Sequence, residues 1–205
     1  MSSAPSALPG VRYGRHARFA DARGSFREIW RASSFPAIPG PDAGAAPGTQ
    51  PAFVQANLST SEPGVLRGLH YHRRQLDFWT VTAGSAFVAL VDVRPSLAGA
   101  GEPLVETRVL AADEWAVIPA GVAHGFLALE PLELLYLVTN EYDGSDELGF
   151  AWDDPAVAIS WPRVPGTAEG RPILSDRDRS NPALAALIAR LRGEGTSQPG
   201  RGPSA

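Results

Sequence analysis

The sequence predicts an all-β fold, a jelly-roll or related barrel carrying one short C-terminal helix. Three observations point there. Between residues 52 and 139 the chain alternates short apolar runs with turn residues such as Gly84, Pro119, Gly121 and Pro131. Those runs are rich in Val, Leu, Phe, Tyr, Trp and Thr, which suit a pleated, half-buried surface. Only one segment shows a clear helical period, and it lies near the end of the chain.

The predicted strands cover 53–58, 65–72, 78–81, 86–93, 105–110, 114–118 and 132–139. The helix opens at Asn181-Pro182, with Asn as N-cap and Pro in the first turn. Leu184, Leu187, Ile188 and Leu191 then recur on one face. Residues 36–51 are Pro-, Gly- and Ala-rich and read as a loop. Residues 1–10 and 193–205 read as loose tails around a single domain at 11–192.

Composition narrows the function. The chain has 205 residues, 44% of them hydrophobic, enough for a buried core. Acidic and basic residues number 22 and 18, a net charge of −4. No Arg cluster is long enough to track a phosphate backbone, so nucleic acid is not an expected partner. There is no Cys, which excludes disulfides, thiolate metal sites and Cys nucleophiles. There is no Lys either, so no step can use an ammonium as acid, base or clamp. No apolar run suggests a membrane span and the N-terminus lacks a secretion pattern, so a cytoplasmic location is expected.

Only His16, His70, His72 and His124 are available as imidazoles. His70 and His72 lie two apart on a predicted strand and therefore share a face. His124 follows a strand and a tight turn. Three imidazoles that can converge inside one barrel mark a candidate site.

Gly64-Val-Leu-Arg-Gly-Leu-His-Tyr71 resembles the central motif of the dTDP-4-dehydrorhamnose 3,5-epimerase family. Asp21-Ala-Arg-Gly-Ser-Phe26 with Glu28 looks like that family's early D-x-R-G-x-F-x-E element. Phe53-Val-Gln-Ala-Asn-Leu-Ser59 with Ser61, Ile118-Pro-Ala-Gly-Val-Ala-His-Gly-Phe126 and Tyr136-Leu-Val-Thr-Asn-Glu-Tyr142 follow in the family's order. Gly149, Trp152-Asp-Asp-Pro155, Ile159-Ser-Trp-Pro162 and Leu174-Ser-Asp-Arg-Asp178 complete it.

The resemblance implies a homodimeric jelly roll of the cupin type, acting without cofactor on a dTDP-4-keto-6-deoxyhexose. It implies His70 as base, Asp178 as the carboxylate of its dyad and Tyr142 as acid on the opposite face. It places Arg23 and Arg67 at the diphosphate, Gln55 and Asn57 near the nucleotide, and His124 near sugar and phosphates. Phe26 and Glu28 are further substrate-binding positions in the early element. Without the resemblance, Asp178 reads as a solvated charge, Tyr142 as an edge aromatic, and both Arg as surface residues. Strict alternation sets Arg67 and His70 on opposite faces, and a bulge at Gly68 would bring both inward.

The match breaks after His70. His72 stands where the family has Gln, and Asp77 where its Lys aligns, a Lys associated with stabilising the enolate. Arg73 or Arg74 are candidate replacements for that cation. The same run also resembles the metal-binding cupin pattern, with His70, His72, Asp77 and His124 as ligands. A metal-dependent cupin enzyme and a non-catalytic sugar-nucleotide-binding homologue therefore stand as alternatives.

Overall fold

The computed structural model describes residues 2–4, 6–34, 53–142, 144–165, 167 and 170–196. The predicted loop at 36–51 lies outside the described residues, as does the end of the chain beyond 196. In chain order the strands are β1 (Ser2–Ala4), β2 (Arg12–Arg15), β3 (Arg18–Asp21), β4 (Gly24–Arg27), β5 (Gln55–Ser61), β6 (Leu66–Tyr71) and β7 (Asp77–Ala83). They continue with β8 (Ser85–Asp92), β9 (Leu104–Ala111), β10 (Glu114–Ile118), β11 (Val122–Ala128), β12 (Leu132–Val138) and β13 (Leu148–Gly149). The helices are α1 (Arg94–Leu97), α2 (Asp176–Arg179) and α3 (Leu184–Thr196).

Two antiparallel sheets form a sandwich. One has the order β1-β2-β10-β7-β12-β5, the other β13-β6-β11-β8-β9, and β3-β4 is a separate hairpin. The core lies between the sheets. Trp79, Val81, Ala116, Ile118, Leu132 and Leu134 meet Val88, Leu90, Leu110, Val122 and Phe126 from the facing sheet. Burying each large side chain there contributes on the order of 1.5–3 kcal/mol. The outer face of the five-stranded sheet is covered as well. Leu69, Tyr71, Val91 and Ala123 pack under Phe150, Val157, Leu184 and Leu187.

All seven predicted strands are present, with ends shifted by a few residues. Sequence reading missed β11. Its seven residues are buried on both faces, so it shows no alternation, and Gly125 interrupts its apolar run. The tail expected over 1–10 is not loose throughout. Residues 2–4 pair with β2, and Leu8 is 2% exposed in the core. The helix begins later than predicted, at Leu184, whose N–H donates to Asp154 Oδ2 at 2.7 Å. Asp154, not Asn181, therefore meets a free N–H at that helix end. No helix among the described residues is long and apolar enough to cross a membrane.

Candidate active site

Alternation aims the functional side chains. On β7, Trp79 and Val81 point into the core, so Asp77 at the strand start points the same way. On β11, Val122 and Phe126 face the core, and His124 between them does too. On β6, Leu69 and Tyr71 pack outward, which leaves His70 facing inward and turns His72, just past the strand, to the same side.

Arg67 escapes the same parity through a bulge. β6 pairs His70 with His124 and Arg67 with Phe126, so Gly68 and Leu69 stand opposite the single residue Gly125. Gly68 has φ +128°, which favours glycine. A Cβ at Gly68 would lie 2.6 Å from Gly125 Cα and 2.8 Å from the His124 carbonyl oxygen. The extra residue shifts the parity of the strand, and Arg67 and His70 line one cavity.

His70 Nε2 lies 2.7 Å from Asp178 Oδ1. Asp178 sits in the first turn of α2, where Ser175 is the N-cap and its hydroxyl accepts the Asp178 N–H at 3.0 Å. Burial would raise the Asp178 carboxyl. The hydrogen bond and charge of His70, with Ser175 and the Gly68 backbone, outweigh burial and hold it below its ordinary value. Asp178 is therefore ionised at neutral pH and His70 Nε2–H is the donor, which leaves the lone pair on Nδ1.

The cavity measures about 770 Å³, in the usual range for small-molecule sites. Gln55 and Asn57 enter it from β5, with Gln55 Nε2 donating to Asn57 Oδ1 at 2.8 Å. Arg67 is steadied by Ser61 Oγ and the Thr60 carbonyl, each at 3.2 Å. Tyr142 stands at the mouth, 68% exposed, its backbone N–H donating to Gln55 Oε1 at 2.9 Å. Tyr142 also bonds the Glu147 carboxylate, which pairs with Arg177. Burial opposes ionisation of Glu147, but Arg177 chiefly reverses this and keeps its carboxyl below the usual range. Glu147 and Arg177 were missed in the sequence. The only signal was the charged run of residues 175–180, where Ser175 and Asp178 have capping-box spacing.

Three expected binding residues are elsewhere. Arg23, Phe26 and Glu28 do not line this cavity. Arg23 is a surface residue paired with Asp21 at 2.6 Å, on the β3-β4 hairpin. Phe26 is 69% exposed on the same hairpin, and Glu28 pairs with Arg31. The hairpin is held to its own chain through Arg18 and Arg27 on Asp113. Arg73 and Arg74 do not line the cavity either. Their backbone N–H groups donate to the Asp146 carboxylate, and the Arg73 side chain pairs with Glu194.

The four-ligand set proposed from the cupin pattern does not form. His72, Asp77 and His124 present one ligand atom each within 4.8 Å of one another, while His70 is taken by Asp178. His124 Nε2 is 3.2 Å and His72 Nε2 3.9 Å from Asp77 Oδ2. Burial pushes Asp77 up to about 6 and His124 down to about 3. Burial also lowers His72, partly offset by Asp77. The fourth imidazole, His16, is buried against Thr80 at 3.2 Å and is structural.

Residues 5–186 match the family model for dTDP-4-dehydrorhamnose 3,5-epimerase. The Pseudomonas aeruginosa enzyme of that name is 35% identical over 188 residues, covering 90% of this chain and 97% of that protein. The Mycobacterium tuberculosis rmlC epimerase structure superimposes with a TM-score of 0.75 at 30% identity, covering 95% of this chain and 92% of that one. ChmJ, a 3'-monoepimerase from Streptomyces bikiniensis solved with dTDP-quinovose, gives 0.74 at 26%, with coverage of 92% and 90%. The chain belongs to the dTDP-4-dehydrorhamnose 3,5-epimerase family of isomerases.

Proposed function

We propose that the protein epimerises a dTDP-linked 4-keto-6-deoxyhexose at C3, C5 or both. The observation that carries the reading is the His70–Asp178 pair, closed at 2.7 Å beside a cavity that also holds Arg67 and Tyr142. His70 Nδ1 takes the proton next to the ketone, and Asp178 stabilises the imidazolium that results. The electron pair moves to the ketone oxygen as an enolate. Tyr142 returns a proton to the opposite face of the carbon. Its exposure at the mouth lets solvent reprotonate the phenolate. Arg67 holds the diphosphate through the paired N–H groups of its guanidinium. Gln55, Asn57 and His124 contact nucleotide and sugar.

The relatives support the substrate class, since ChmJ was crystallised with a dTDP-sugar. They leave the number of inverted carbons open, since the matches include both a 3'-monoepimerase and 3,5-epimerases. The exposed Phe19 and Phe26 on the hairpin support a homodimer in which Arg23, Phe26 and Glu28 reach a second copy's cavity.

The test is incubation with dTDP-4-keto-6-deoxyglucose in deuterium oxide, followed by NMR at C3 and C5. Deuterium at both carbons gives a 3,5-epimerase, and at one carbon a single-site enzyme. Binding without any exchange would leave a non-catalytic homologue. Tyr142→Phe should separate two readouts. Inversion is expected to fall about 100-fold or more, while His70 continues to exchange the proton on its own face. Equal loss of exchange and inversion would remove Tyr142 from the acid role.

A further inference from the structure

We propose that His72, Asp77 and His124 form a binding site for one divalent first-row transition-metal ion on the floor of the cavity. The argument is one of hydrogen-bond inventory. His72 Nδ1 lies 2.8 Å from the Asp146 carbonyl oxygen, and His124 Nδ1 lies 3.1 Å from that of Val122. A carbonyl oxygen can only accept, so both Nδ1 atoms carry the proton and both Nε2 atoms offer a lone pair. These Nε2 atoms face Asp77 Oδ2.

Asp77 is 2% exposed, and its Oδ2 has no hydrogen-bond partner. Its other oxygen accepts Gln75 Nε2 at 2.9 Å, which fixes the carboxylate plane. Three lone pairs thus converge on one buried point, with no donor among the three groups. A buried acceptor left in this state is costly, and a cation removes the cost.

The distances suit an ion. Ligand atoms bound at about 2.0–2.2 Å to one metal lie roughly 3.0–3.5 Å apart. The His124–Asp77 separation of 3.2 Å already meets this, and the His72–Asp77 separation of 3.9 Å needs a small closure. Backbone carbonyls on both Nδ1–H groups are the usual outer partners of metal-bound imidazoles. Two imidazoles and one carboxylate favour borderline divalent ions over Mg²⁺ or Ca²⁺. Three protein ligands leave at least one coordination position open.

All three residues line the same cavity as His70 and Arg67. The open position therefore faces the bound ligand. On the epimerase reading, on which this half of the inference rests, the ion is the Lewis acid that receives the enolate oxygen. It then supplies positive charge at the position where Asp77 replaces the family's Lys. His70 still takes the proton, and no electron is gained or lost.

The experiment is a Co²⁺ titration of chelator-treated protein, followed by visible absorption, with Zn²⁺ as competitor. One Co²⁺ per chain, displaced by Zn²⁺, is expected. Asp77→Asn, close to isosteric, should weaken binding on the order of 100-fold or more, since even outer partners of a metal site account for about 10- to 100-fold. His70→Asn should bind Co²⁺ as well as the parent, because Asp178 already holds that ring. Failure of the parent to bind either ion, or equal binding by Asp77→Asn, overturns the site. Deuterium exchange in the chelated and the Zn²⁺-loaded protein tests the Lewis-acid half separately. Equal rates discard that half, and no exchange in either form discards the epimerase reading, while a stoichiometric Co²⁺ signal upholds the site.

Discussion

His70→Asn is expected to lower deuterium incorporation into the 4-keto sugar about 1,000-fold, while substrate binding stays within a few-fold of the parent. The size follows from the role. A positioned general base contributes about 10²- to 10⁴-fold. Asn matches the ring's width near the backbone but ends short of the Nε2 position that meets Asp178, and it has no lone pair able to accept a proton near neutral pH. The cavity keeps Arg67, Gln55 and Asn57, the residues proposed to hold the nucleotide, so dTDP binding is expected to be unchanged. Single-turnover exchange measured by mass spectrometry reads the chemical step, and isothermal titration with dTDP reads binding. Exchange within tenfold of the parent would show that another group takes the proton. Asp178→Asn should lose less, because the imidazole keeps its lone pair and loses the carboxylate that orients it and stabilises the imidazolium.

The second large effect is structural. Gly68→Ala is expected to destabilise the protein by about 3 kcal/mol or more, from a backbone angle that side chains avoid combined with a backbone clash. The new methyl would meet Gly125 Cα at 2.6 Å and the His124 carbonyl oxygen at 2.8 Å. Neither is the end of a flexible side chain, so relief requires the strands to part. Gly125 is the reciprocal case, since its own Cβ would meet the Arg67 carbonyl oxygen at 2.8 Å. For a chain of this size the thermal midpoint should drop roughly 10 °C. A melt by circular dichroism checks it. A midpoint within about 2 °C of the parent would mean that the bulge is not pinned by these two glycines.

How legible this molecule is from sequence depends on whether a residue's role is set locally. β10 is predicted at 114–118 and found there, because Trp115 and Val117 pack outside while Ala116 and Ile118 pack inside. Both faces bury apolar residues, but turn residues bound the strand clearly. β11 lacks such framing at its start, where Pro119 and Gly121 read as loop. The bulge at Gly68 is foreseeable, since only a shift of parity lets Arg67 and His70 share a face.

Pairings across the chain are a different matter. Nothing near Asp178 announces His70, and only the resemblance joined them. The same resemblance named Arg23, Phe26 and Glu28, which stand on a hairpin that does not line the cavity of its own chain. The metal quartet failed for a long-range reason. His70 and His72 do share a face, as alternation requires, but a carboxylate from the far end of the chain claims the His70 ring.

The contact between His70 and Asp178 spans 108 positions of sequence. Every strand of the sandwich precedes residue 150, whereas the carboxylate arrives on α2, after the last of them. A growing polypeptide can thus finish both sheets and still hold its imidazole unaligned. The carboxylate reaches that imidazole only when the closing segment docks, the same segment whose Leu184 and Leu187 cover the outer face of the five-stranded sheet.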